Sequence, residues 1–159
     1  MPAPRARDAH RQEPHPFPVT INCIASAIGR LRAVHEDDDD ANQQVDLFRG
    51  MRDLTADSAA NAEFFESGGS ESAPMSTTTD LHIAMRYAAS QSCLLFVLRT
   101  CSFQERGADV SYLSCFPDES EILYPPMTHL RPTGKQVVEH VDGATITAVQ
   151  VAPTLELGS

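Results

Sequence analysis

Two glutamates, Glu119 and Glu121, stand where a turn meets an apolar segment, in Phe116-Pro117-Asp118-Glu119-Ser120-Glu121-Ile122-Leu123-Tyr124-Pro125-Pro126. Pro117-Asp118 is a turn opener. Ile122-Leu123-Tyr124 is β-branched and aromatic and reads as a short strand. Pro125-Pro126 stops it, since neither residue can donate to a ladder. In an extended chain alternate side chains share a face, so the two carboxylates would point the same way with Cα atoms about 6–7 Å apart. Like charges so placed repel, and one reading is a solvated acidic turn. The strand that follows at once opens a second: Glu121 sits at its mouth, where partial burial would hold a carboxylate beside a substrate.

Two further groups have the chemistry to join such a site. Val45-Asp46-Leu47-Phe48-Arg49-Gly50-Met51 reads as a short strand carrying an arginine and a glycine. Gly50 implies a close backbone approach or a bulge. Arg49 either pairs with a carboxylate of the fold or offers its planar fork to phosphates. The hydroxyl cluster Ser76-Thr77-Thr78-Thr79 precedes Asp80 and an apolar periodic run, which is the pattern of a helix N-cap region.

The elements that must position these groups fit one domain. The chain has 159 residues and is 42% hydrophobic, enough for one core and not for two. A net charge of −10 and the lack of a basic patch argue against a nucleic-acid partner. No run approaches the roughly 18 apolar residues of a membrane span. The N-terminal residues lack the apolar stretch of a signal peptide, which makes the cytoplasm the default location. Cys23, Cys93, Cys101 and Cys115 lack C-x-x-C spacing and read as reduced, half-buried small hydrophobes. The six histidines show no metal-binding spacing, so no metal is expected.

Residues 1–18 carry five prolines and read as a disordered leader. Residues 19–40 read as an amphipathic helix, over 20–35, followed by an acidic linker, Glu36-Asp37-Asp38-Asp39-Asp40. Residues 57–66 suggest a second helix, closed by Gly68-Gly69 as a C-cap, and 80–91 a third. Cys93-Leu94-Leu95-Phe96-Val97-Leu98-Arg99 is a continuous apolar run up to its closing arginine and should be a central buried strand. Asp142-Gly143 joins two flanking strands in a C-terminal hairpin. The fold class is therefore α+β, with the principal domain over 41–155.

Phe48-Arg49-Gly50, Ser76-Thr77-Thr78 and Glu119-Ser120-Glu121 occur in that order, with a helix after the hydroxyls and a buried strand before the glutamates. In this the chain resembles the arginine–serine–glutamate class of mono-ADP-ribosyltransferases, which includes cholera-toxin-like and clostridial-toxin-like enzymes. The similarity covers residues 45–153. It departs at the third hydroxyl, Thr78 for serine, and in the short region before Arg49. No G-x-G-x-x-G offers a competing dinucleotide fold.

The resemblance implies two roughly perpendicular sheets with NAD in the cleft between them. Arg49 would contact the NAD phosphates and Gly50 the nicotinamide amide. Ser76 and Thr77, with Thr78 after them, would shape the nicotinamide-ribose pocket. Glu121 would be the catalytic glutamate, with Ser76 beside it in the catalytic set. Glu119 would select arginine as acceptor, and Phe116 would touch the protein substrate. The function implied is transfer of ADP-ribose from NAD to arginine side chains of a protein acceptor, by a monomer. An NAD glycohydrolase and a non-catalytic NAD-binding module are the alternatives.

Overall fold

The computed structural model describes residues 17–36, 42–55 and 59–155. The expected leader, except for Phe17 and Pro18, and most of the acidic linker lie outside them. The first helix, α1 (Pro18–Val34), begins on a proline, whose fixed φ and missing N–H suit a first turn. Pro18, expected in the leader, is thus helical. It is followed by β1 (Val45–Arg52), α2 (Ala59–Ser67), β2 (Gly69–Glu71), β3 (Met75–Thr78), α3 (Leu81–Ala88) and β4 (Ser92–Thr100). The chain closes with β5 (Ala108–Asp109), β6 (Glu121–Tyr124), β7 (Thr128–Val141) and β8 (Ala144–Thr154).

The strands form one mixed sheet in the order β2-β7-β8-β4-β1-β3-β6-β5. Every pair is antiparallel except β4 with β8. Where two sheets were expected, the ladder runs unbroken through all eight strands. Its thinnest seam is β1–β3, joined in register only at Phe48–Thr78, whereas β1 and β4 pair along their whole lengths.

As its composition dictates, β4 is central and buried, covered by β1 on one side and β8 on the other. Its Leu94, Phe96 and Leu98 pack with Leu47, Met75, Tyr124, Leu130, Val149 and Val151. Phe64 of α2 stacks on Phe96 with ring centroids 5.3 Å apart. A smaller core forms where Ile28 of α1 meets Ala108 and Val110. There the buried Arg32 donates to the carbonyls of Phe103, Gln104 and Arg106, fixing the loop before β5. The second helix closes as expected: Gly68 takes φ +79° and its N–H bonds to the Phe64 carbonyl.

Three expectations need correction. The hydroxyl cluster is not a cap. Met75–Thr78 is a strand, because β6 offers it a ladder from Tyr124 to Glu121, and Asp80 alone caps α3 by accepting from the His82 N–H at 2.7 Å. The third helix stops at Ala88, short of residue 91, as the chain turns into β4. Of the four free cysteines only Cys93 is buried, since Cys23, Cys101 and Cys115 occupy outward positions.

Candidate active site

Arg49, Gly50, Ser76, Thr77, Thr78, Phe116, Glu119 and Glu121 all line one cleft of about 520 Å³. This lies within the roughly 300–1,000 Å³ range of ordinary ligand sites. The cleft lies over the β1–β3 seam, with α3 as one wall and the glutamate turn as the other. Phe48, Arg52, Ile83, Ala84 and Tyr87 complete its lining.

Gly50 is explained by α3. A β-carbon at Gly50 would overlap the carbonyl oxygen of Ala84 and lie 2.9 Å from Ala88 Cβ. Only a residue without a side chain lets the helix lie this close to β1. Ala84 and Ala88 are the buried residues of α3, and this contact aims Ile83 and Tyr87 into the cleft.

Among the described residues Arg49 does not pair with a carboxylate. Its Nη1 donates to the Ser76 carbonyl at 3.0 Å. That single bond braces the guanidinium across the seam between β1 and β3. The remaining N–H donors belong to a side chain lining the cleft, a fitting partner for an anion with several acceptor oxygens.

The two threonine hydroxyls hold the strand and the turn that carry the glutamates. Thr77 Oγ1 donates to the Ile122 carbonyl at 2.8 Å. Thr78 Oγ1 donates to the Glu119 carbonyl at 2.6 Å and accepts from the Asp80 N–H at 3.0 Å. Both threonines are buried and Ser76 is exposed. Thr78 therefore ties the start of α3 and the glutamate turn to β3 through one oxygen.

The two glutamates do not alternate along one strand. Glu119 ends a 3-10 turn, Pro117–Glu119, and Ser120 takes a left-handed conformation, φ 47°, before β6 begins at Glu121. The turn forms because Pro117 supplies its first position. Both side chains still line the cleft, Glu121 from the strand and Glu119 from its rim. Phe116, 63% exposed, stands at the mouth beside Glu119.

The sequence reading missed what holds Glu119. Tyr87 Oη donates to both of its carboxylate oxygens at 3.1 Å, and Arg86 Nη2 lies 3.7 Å from Oε1. The bond to Glu119 holds the Tyr87 phenol above its usual range. The available signal was helical spacing: Ile83 and Tyr87 are four residues apart, on one face of α3. Arg52, a second cation in the cleft, stands at the end of β1 and was also missed. Among the described residues no group of three His, Cys, Asp or Glu side chains is placed to hold a metal. None of the described helices is long and apolar enough to cross a membrane.

No family model matches the chain, and neither does any curated protein sequence. Solved structures do. The ADP-ribosyltransferase HopU1 of Pseudomonas syringae pv. tomato DC3000 superposes with a TM-score of 0.59 at 21% identity, over 93% of this chain and 60% of its own. Plx2a, an ADP-ribosyltransferase toxin from Paenibacillus larvae, gives 0.58 at 13% identity, over 92% of this chain and 75% of its own. Vis toxin, an ADP-ribosyltransferase from Vibrio splendidus, gives 0.53 at 19%, over 90% and 63%. The chain thus spans less than two thirds of the length of HopU1 and Vis toxin. Its fold is the α+β fold that these ADP-ribosyltransferase structures share.

Proposed function

We propose that the chain is an NAD-dependent mono-ADP-ribosyltransferase of the arginine–serine–glutamate class, moving ADP-ribose to arginine side chains of a protein acceptor with release of nicotinamide. Residues 41–155 form its catalytic unit. The observation that carries the reading is the convergence of three separate sequence motifs on one cleft. The shared fold agrees with it.

NAD brings a glycosidic bond to a cationic pyridine nitrogen, so nicotinamide can leave neutral, taking the bond's electrons. The residues of the cleft fit that substrate. Arg49, braced on the Ser76 carbonyl and without an acidic partner among the described residues, suits the diphosphate and makes the remote half of NAD contribute binding energy. Ser76, Thr77 and Thr78 would shape the pocket for the nicotinamide ribose, and the backbone at Gly50 would meet the nicotinamide amide; all four line the cleft.

Glu121, fixed by the β3–β6 ladder opposite Thr78, is the candidate to accept a hydrogen bond from a ribose hydroxyl. That bond strengthens as positive charge grows on the sugar, which favours the transition state over the ground state. Glu119 is the group for the acceptor. A guanidinium is always charged and a poor nucleophile, and a carboxylate can hold it by two parallel bonds and orient one nitrogen on the ribose carbon.

One observation favours NAD glycohydrolase activity as the second reading: the Glu119 carboxylate is already engaged by Tyr87 and Arg86. Incubation with labelled NAD and agmatine tests the choice. Labelled ADP-ribosyl-agmatine is the expected product. Bound NAD without transfer would contradict the transferase reading, and label found only as free ADP-ribose would favour the hydrolase.

A further inference from the structure

We infer that α3 guards the acceptor end of the cleft: Tyr87 and Arg86 occupy, from within the chain, the carboxylate fork that an incoming guanidinium must take. The inference deepens the proposed function and rests on the assignment of Glu119 to the acceptor.

The Tyr87 hydroxyl is shared equally between the two oxygens of Glu119, at 3.1 Å from each. That is the position over a carboxylate that a planar guanidinium uses when it binds with two parallel bonds. Arg86 places a guanidinium 3.7 Å from Oε1, too far for a hydrogen bond but close enough to supply the neutralising charge. The acceptor site is therefore already filled in kind, with a donor on the fork and a guanidinium beside it. An acceptor must move the hydroxyl aside and replace Arg86.

Both guards are built to yield. Tyr87 is 51% exposed and the Arg86 side chain 67%, so neither helps to pack α3. Ala84 and Ala88 do that. Exposed contacts of this type are weak, worth a few-fold in an equilibrium, so the fork opens readily to a guanidinium carried by a well-docked protein. Free small guanidines, with no other contacts, bear the whole cost of displacement. The guard thus favours protein-borne arginine over small guanidines.

Calorimetric titration of the full chain with agmatine tests this without relying on turnover. Tyr87→Phe and Arg86→Ala should each bind agmatine roughly two- to five-fold more tightly than the unaltered chain. Arg86→Lys, which keeps a cation beside the fork, should fall closer to the unaltered chain than Arg86→Ala does. Glu119→Gln should bind least. In transfer assays the two opening variants should lower KM for agmatine more than they change kcat, a split that a loss of structure would not produce. Unchanged or weaker binding in both Tyr87→Phe and Arg86→Ala would overturn the inference, as would no measurable binding by any variant. If no variant releases nicotinamide, the proposed function fails, while the agmatine comparison still decides whether the fork is guarded.

Discussion

Gly50 lies against the backbone of Ala84, where a β-carbon would overlap the Ala84 carbonyl oxygen. This one contact sets the height of α3 over β1 and so the position of Tyr87 relative to Arg49. Gly50→Ala should push the helix outward. The expected loss is about 1–3 kcal/mol of stability, read as a lowered denaturation midpoint, with a larger proportional loss of nicotinamide release because the cleft wall moves.

Thr78 should matter through a single oxygen. Thr78→Val keeps shape but leaves the Glu119 carbonyl and the Asp80 N–H without their partner. Such a loss costs about 1–3 kcal/mol when the groups stay dry. Arginine transfer should fall more than NAD hydrolysis, since the turn that carries Glu119 is what loosens. Equal losses in the two assays would contradict this role.

Ser120 holds a left-handed conformation between the two glutamates. A β-branched residue is strained there, by about 1–2 kcal/mol. Ser120→Val should therefore lower transfer and thermal stability together, and Ser120→Gly should spare transfer. Assaying both variants for transfer to agmatine, alongside thermal melts, checks the pair.

The pH dependence of stability has two named ends. Burial raises the Tyr124 phenol well above its ordinary value of 10.0, and its hydroxyl donates to the Glu105 carbonyl at 2.9 Å. The folded state thus keeps a proton that the unfolded chain loses. The stability it lends is complete below pH 10.0 and declines as pH climbs from there toward the raised folded value. Asp46 is the opposite case: hydrogen bonds from Arg99 at 2.9 Å hold its carboxyl below the usual 3.8. Its contribution is present above 3.8 and is lost as pH falls through the lowered folded value. Unfolding midpoints measured across pH should show the alkaline decline shrink in Tyr124→Phe, the remainder coming chiefly from the Cys93 thiol, which burial also raises. Asp46→Asn should lower stability above pH 3.8, by under about 1 kcal/mol because that pair is partly exposed, and leave it unchanged at pH well below the lowered folded value.

Much of this architecture could be read from residue types. The apolar run at Cys93 to Arg99 had to be central, Gly50 had to mark a close approach, and Asp142-Gly143 had to join two strands. Each is a local rule that tertiary context did not override. The cluster at Ser76 misled because hydroxyl residues cap helices as readily as they line strands, and only the partner strand β6 decides between the two. The glutamates were assigned to one extended segment because period-two alternation ignores a left-handed residue between them. Arg86 and Tyr87 could not be linked to Glu119 from sequence, since that contact spans 32 residues between Tyr87 and Glu119 and depends on how α3 is seated.

The acceptor carboxylate separates two reactions that share one pocket. Glu119→Gln keeps the size of the side chain and removes its charge. Transfer to agmatine should drop by about 10- to 100-fold, the loss of a charge-assisted hydrogen bond, while hydrolysis of NAD continues. Product analysis by chromatography distinguishes the two; parallel loss would contradict the division of labour between Glu119 and Glu121.

The central claim is that Glu121 acts on the sugar of NAD within this cleft. Release of nicotinamide from NAD by the unaltered chain and by Glu121→Gln, at matched folded concentration, tests it most directly. The account predicts release by the former and a fall of at least about 100-fold in the latter. Undiminished release by Glu121→Gln, or none from the unaltered chain with NAD bound, would contradict it.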